Sequence, residues 1–208
     1  KKVKELSKIP FIGHLEGVCH TYIDKDANLT MAKKLTLNAK LRNTAICGAT
    51  ESILIHQSLL TKFCNPVLSN LKKNGCKIIG DNKIKKFYKK KIKRAKESDW
   101  NKEYLAPIVS IKSVKNLNEA ISHINKYGTM HTDAIITKNL KTAKKFLNEV
   151  KSSIAMHNTS TQFADGGEFG FGAEIGISTD KLHVRGPVAA KHLTSFKYIV
   201  HGNGQERP

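Results

Sequence analysis

The residue best placed to do chemistry is Cys47, in Ala45-Ile46-Cys47-Gly48-Ala49-Thr50-Glu51, where a helical pattern gives way to the apolar run Ser52-Ile53-Leu54-Ile55-His56. A thiol becomes a useful nucleophile when its thiolate is favoured and its sulfur can be reached. Gly48 and Ala49 leave room for a substrate. Backbone N–H groups of a non-helical turn are suited to bind the oxyanion that forms when a carbonyl is attacked. The alternative is a small buried hydrophobe, because free cysteine is among the most buried residue types. Position alone leaves both readings open.

The segments that must position this junction alternate between strand-like and helix-like patterns, which predicts an α/β fold with a mostly parallel sheet and flanking helices. Thr21–Asp24 reads as a strand end. Leu29–Leu41 carries Leu29, Ala32, Leu35, Leu37 and Leu41 at roughly helical spacing, with Asn28 placed to cap it. Ser52–His56 is a buried strand, and Leu59–Asn74 a helix stopped by Gly75. The pattern repeats with strands at Lys77–Gly80, Pro107–Lys112, Asp133–Thr137 and Ser153–His157, and helices at Leu117–Tyr127 and Leu140–Val150. Residues 159–179 break the pattern, with Gly166, Gly167, Gly170, Gly172 and Gly176 in a stretch of little periodicity. Long structured loops of this kind often form binding surfaces. Phe196–Val200 reads as an isolated alternating strand, to be paired within the domain or added to a neighbouring subunit's sheet.

Composition excludes several classes. No apolar run approaches the ~18 residues that cross a bilayer, and the Lys-rich start has no signal-peptide core, so the expectation is a cytoplasmic protein away from membranes. Cys19, Cys47, Cys64 and Cys76 are too far apart for a paired-cysteine motif. Free thiols fit a reducing compartment. The net charge of +19 comes almost wholly from Lys, with only Arg42, Arg94, Arg185 and Arg207 as guanidinium donors. Readers of phosphate and bases lean on Arg, so no nucleic-acid partner is expected. The dense run Lys83–Lys96 reads as a solvated helix face or loop.

A whole-chain resemblance joins these signals. Ile9-Pro-Phe-Ile-Gly-His-Leu-Glu-Gly-Val-Cys-His20, the Cys47 stretch, Asp99-Trp-Asn-Lys-Glu-Tyr-Leu-Ala-Pro107, Tyr127-Gly128 and His131-Thr-Asp-Ala-Ile-Ile-Thr137 stand in one order. Asn158-Thr-Ser-Thr-Gln-Phe163, Phe169-Gly-Phe-Gly-Ala-Glu-Ile-Gly-Ile-Ser178 and His183-Val-Arg-Gly-Pro187 follow. That order resembles the catalytic half of the aldehyde dehydrogenase superfamily, in its γ-glutamyl phosphate reductase (glutamate-5-semialdehyde dehydrogenase) branch. The resemblance implies that Cys47 attacks the γ-carbonyl of L-glutamyl 5-phosphate to give a thioacyl-enzyme. NADPH then reduces it to glutamate 5-semialdehyde, in the second step of proline biosynthesis. It also implies that Glu103 holds the nicotinamide ribose hydroxyls, and that Ser160, Thr161, Gly170 and Gly172 cup the substrate. No metal is implied. His131 and Arg185 resemble supporting residues. Hydrolytic members carry a water-activating glutamate where this chain has Gly13-His14, with Glu16 two residues on, which fits a reductase. Two departures from the branch bear on phosphate recognition: Gly48 stands where Asn is frequent, and Gln162 where Arg is.

The implied organisation is a catalytic domain over 1–190 and a C-terminal strand and tail over 191–208 that joins subunits into a homo-oligomer. The chain opens at Lys1 without an initiator Met, which points to a fragment lacking the N-terminal cofactor-binding domain. On that reading the fragment alone reduces nothing. Other readings are the reductase part of a bifunctional pyrroline-5-carboxylate synthase, another acylating or hydrolytic aldehyde dehydrogenase, and an inactive homologue that binds a partner. A glutamate kinase is a further candidate partner.

Overall fold

The computed structural model describes residues 2–181 and 183–208. A short helix, α1 (Lys2–Leu6), leads to β1 (Cys19–Ile23), α2 (Leu29–Leu41), β2 (Thr50–His56), α3 (Leu60–Lys73), β3 (Lys77–Gly80) and α4 (Asn82–Phe87). There follow β4 (Lys93–Arg94), β5 (Ile108–Val114), α5 (Leu117–Tyr127), β6 (Thr132–Ile136), α6 (Leu140–Glu149) and β7 (Ile154–His157). These seven strands form one sheet in the order β4-β3-β5-β2-β1-β6-β7. Every pairing in it is parallel. A separate antiparallel pair, β8 (Gly176–Ser178) and β9 (Gly186–Val188), follows the glycine-rich segment.

Alternation along each strand explains the two cores. In β2, Ile53 and Ile55 pack with Leu60, Phe63, Val67 and Leu71 of α3 and with Ala32 of α2. Leu54 points to the other face, where Tyr22, Ile135, Ile124 of α5 and Phe146 of α6 meet. Helices therefore cover both faces, which is why the central strands read as continuous apolar runs. The caps follow local chemistry: Asn28, Asn116 and Asn139 each accept from a backbone N–H three residues on. Gly75 ends α3 at φ 85°, a conformation that suits glycine.

The predicted elements form within one or two residues of their expected bounds, with local differences. The Lys-rich run holds the short helix α4 and the two-residue edge strand β4. Lysine on a short edge strand discourages further pairing. The β8–β9 pair, three residues a side and built largely from Gly, Pro and Ser, has no periodicity to announce it. Among the described residues Phe196–Val200 has no strand partner, and Phe196, Tyr198, Ile199 and Val200 are all exposed. Of the two pairings open to that segment, the one within the domain is not formed.

Candidate active site

The segments just before four strands converge at the N-terminal edge of the sheet: His14 and Gly17 before β1, Cys47 before β2, Glu103 before β5 and His131 before β6. The loop bearing Cys47 is tied at its base by a buried ion pair. Lys40 Nζ of α2 lies 2.5 Å from Glu51 Oε2 of β2, with both side chains removed from solvent. Glu51 Oε1 also accepts from the Leu105 N–H at 3.3 Å. Burial pushes the Glu51 carboxyl up, and the Lys40 ammonium opposes that shift. Within the loop the Ala49 N–H donates to the Ile46 carbonyl at 3.0 Å, closing a tight turn around Cys47 and Gly48.

Gly17 lies directly against that turn. A Cβ added to it would stand 2.9 Å from the Cys47 Cα and closer still to the Cys47 carbonyl oxygen. Only a glycine permits this approach. Its N–H donates to Glu103 Oε1 at 2.9 Å, so Glu103 is one contact removed from the Cys47 backbone. The other Glu103 oxygen has no hydrogen bond among the described residues. The Cys47 carbonyl accepts from the Cys19 thiol at 3.1 Å.

Cys47 is half-buried, whereas Cys19, Cys64 and Cys76 are buried. Burial and then the Glu174 carboxylate push the Cys47 thiol up, while the N–H groups of Cys47 and Gly48 act in the opposite sense. Backbone amides near a sulfur favour negative charge on it. Burial drives Cys64 and Cys76 up to about 12. Reach, more than acidity, distinguishes Cys47 from the other thiols.

The sulfur opens on a cleft of about 810 Å³. Its walls include Lys34 of α2 and Arg42 at its C-cap, Asn158, Ser160 and Gln162 after β7, and the acidic Asp165, Glu168 and Glu174. Ser160 therefore lies on the cleft, where its hydroxyl accepts from the Gln162 N–H. Thr161 is fully buried and its Oγ1 meets Thr50 Oγ1 at 2.9 Å, joining a hydroxyl chain that continues to Thr21. Gly170 and Gly172, at φ 76° and 80°, are exposed turn positions outside the cleft lining. Gln162 holds the end of α2: its Nε2 donates to the Ala39 and Asn43 carbonyls at 2.9 and 3.1 Å, and its Oε1 accepts from Arg42 at 3.3 Å. Glu16 is exposed, whereas His14 comes close to Cys47. Arg185 is exposed and bonds to the Ser153 hydroxyl and the Lys151 carbonyl. Sequence reasoning passed over Lys34, Arg42 and Glu174. Arg42 had a signal, as an arginine at the end of the helix that delivers Cys47, but Glu174 reaches the site only through the fold of the glycine-rich segment.

A parallel sheet whose strand entrances gather a reachable cysteine, a carboxylate and two histidines defines an aldehyde dehydrogenase-like catalytic domain. Residues 93–178 match the model of the aldehyde dehydrogenase family. Over that segment the chain is similar to the aldehyde dehydrogenase family. Its particular likeness is to γ-glutamyl phosphate reductases. It is 51% identical over 207 residues to the γ-glutamyl phosphate reductase of Parvibaculum lavamentivorans, covering 100% of this chain and 49% of that protein. The crystal structure of γ-glutamyl phosphate reductase from Thermotoga maritima superposes with a TM-score of 0.94 at 40% identity, over 100% of this chain and 50% of that one. An acetylating aldehyde dehydrogenase from Geobacillus thermoglucosidasius shares the fold at 18% identity, with a TM-score of 0.74 over 100% of this chain and 55% of that one. The chain spans about half the length of the curated relatives it matches. Among the described residues no helix is long and apolar enough to cross a membrane.

Proposed function

We propose that this chain is the catalytic domain of a γ-glutamyl phosphate reductase that converts L-glutamyl 5-phosphate to glutamate 5-semialdehyde and phosphate. The observation that carries this reading is Cys47, reachable on a cleft and held by Gly17, in a chain similar along its whole length to proteins of that name. The Cys47 sulfur attacks the γ-carbonyl carbon, a C–S bond forms, and the C–O bond to phosphate breaks with its electron pair leaving on phosphate. The N–H groups of Cys47 and Gly48 steady the charge on the reacting atoms. Lys34 and Arg42 supply positive charge on the cleft wall for the phosphate, and Ser160 supplies a hydroxyl for the amino-acid end of the substrate. Thr161 supports Thr50 at the entrance of β2, and the turns at Gly170 and Gly172 shape the segment that delivers Glu174.

NADPH is the reductant in this reading, and hydride to the thioester carbon is the chemistry it supplies; return of the C–S electron pair to sulfur then frees the aldehyde. Glu103 fits a ribose-holding role, since one carboxylate oxygen remains free beside the Cys47 backbone. Most cofactor contacts belong to a separate domain, for which the greater length of the relatives leaves room. Association of copies through residues 191–208 and a glutamate kinase as partner complete the proposal. Deleting residues 194–208 without changing assembly contradicts the first of these.

The test is the reverse reaction in a reductase carrying this chain. NADP+ reduction by glutamate 5-semialdehyde is expected to require inorganic phosphate and to vanish in Cys47→Ser. Phosphate-independent turnover would assign a hydrolytic aldehyde dehydrogenase instead.

A further inference from the structure

We propose that Cys47, His14 and His131 form a binding site for a soft divalent cation of the zinc class, and that the bound cation caps the sulfur. The three residues are scattered along the sequence and expected from it to hold no metal, yet the strand entrances bring them together. One donor atom from each, the sulfur and a ring nitrogen of each histidine, lies within 4.8 Å of the others. Ligands at about 2.0–2.3 Å from a tetrahedral ion stand roughly 3.5 Å apart, so contraction by about 1 Å completes the site. Cys47 and His14 are only partly buried and have room to make that adjustment.

The surroundings of both imidazoles are those of metal ligands. His14 Nδ1 lies 2.7 Å from the Ile177 carbonyl, a contact that puts the proton on Nδ1 and the lone pair on Nε2. His131 Nδ1 is engaged by Thr132 Oγ1 at 2.9 Å and Cys19 Sγ at 3.5 Å. The Nε2 of His131, a fully buried residue, has no hydrogen-bond partner among the described residues. A buried polar nitrogen left unpaired is costly, and a ligand satisfies it. Metal-binding histidines characteristically anchor their second nitrogen in this way, which fixes tautomer and ring orientation. Two imidazoles and a thiolate suit zinc-class ions more than magnesium or calcium, which take oxygen ligands. Cys47 lines the cleft, which gives a cation access to the sulfur. Coordination of the sulfur occupies the lone pair needed for attack on a carbonyl; this consequence, unlike the binding itself, rests on the function proposed above.

Cobalt(II) is the probe, titrated into the full chain under reducing conditions without other thiols. The expected result is one equivalent bound, with a sulfur-to-cobalt charge-transfer band and tetrahedral visible bands that zinc(II) abolishes by displacement. Cys47→Ser should lose the charge-transfer band and Cys64→Ser should keep it. His14→Gln should weaken binding at least tenfold. His131→Gln should do the same, with circular dichroism to show that the buried substitution still folds. Zinc should also slow alkylation of Cys47. Absence of the charge-transfer band, its survival in Cys47→Ser, or unchanged affinity in His14→Gln would overturn the proposal. A Cys47→Ser reductase that still turns over would defeat the proposed function and leave this titration to stand or fall by itself.

Discussion

Replacing Gly17 with alanine should damage the site through its backbone, with no functional group removed. The added Cβ would lie 2.9 Å from both the Cα and the carbonyl carbon of Cys47 and would overlap the Cys47 oxygen, whereas ordinary contacts begin at 3.4 Å. Cys47 must therefore retreat by something on the order of 1 Å, an overpacking that costs about 1–3 kcal/mol. A domain of this size loses roughly 2–4 °C of melting temperature per kcal/mol, so Gly17→Ala should melt about 2–12 °C lower. Displacing a reacting group by about 1 Å costs on the order of 100-fold in rate. The same retreat strains the hydrogen bond from the Gly17 N–H to Glu103. The assay pairs thermal unfolding of the chain with turnover of the reductase that contains it. Gly176→Ala is the control, since a Cβ there meets nothing within 4 Å and should leave both readouts unchanged. A Gly17→Ala protein with parental melting temperature and turnover would refute the idea that this glycine sets the position of Cys47.

Lys40→Met strands the buried Glu51 carboxylate and should cost about 3–5 kcal/mol in urea unfolding, with part of the loss recovered in Lys40→Met/Glu51→Leu. No recovery in the double variant would show that the ion pair is not what holds the loop base. His123, buried against Trp100 and Tyr127, has its pKa lowered by burial to about 2 from an ordinary 6.5. The folded state therefore resists a proton that the unfolded state accepts, and stability present above pH 6.5 is lost as pH falls below it. The slope is about 1.4 kcal/mol per pH unit, or about 2 kcal/mol by pH 5. His123→Phe should flatten that limb in urea titrations at pH 5–7; an unchanged slope would assign the acid sensitivity elsewhere. Among the four thiols, Cys47 should be alkylated first near neutral pH, and Glu174→Gln should speed that reaction by removing a carboxylate that pushes the thiol up. Peptide mapping that finds Cys64 or Cys76 labelled first would contradict this order.

Most of the sheet was legible because its signals are local. Asn28 and Gly75 mark helix ends by their own chemistry, and runs such as Ser52–His56 announce burial on both faces. The position of Cys47 in a helix-to-strand junction was equally visible. What sequence could not give depended on distant contacts. Gly17 reads as one more glycine until Cys47 is brought against it, and His14 and His131 become neighbours only because β1 and β6 pair. The buried pair Lys40–Glu51 joins a helix to the following strand and has no local signature in a Lys-rich chain. Ser160 and Thr161 are adjacent, yet one borders the cleft and the other turns to Thr50, a division set by the short 3-10 turn at Thr161–Phe163. The β8–β9 pair is too short for a period-2 signal to emerge.

In the proposed reaction Cys47 carries the acyl group. The direct measurement is mass-spectrometric peptide mapping of the reductase mixed with L-glutamyl 5-phosphate, generated in place, with NADPH withheld. A glutamyl adduct is expected on the peptide containing Cys47, removed by hydroxylamine and absent from Cys47→Ser. An adduct on another residue, or turnover that persists in Cys47→Ser, would contradict it.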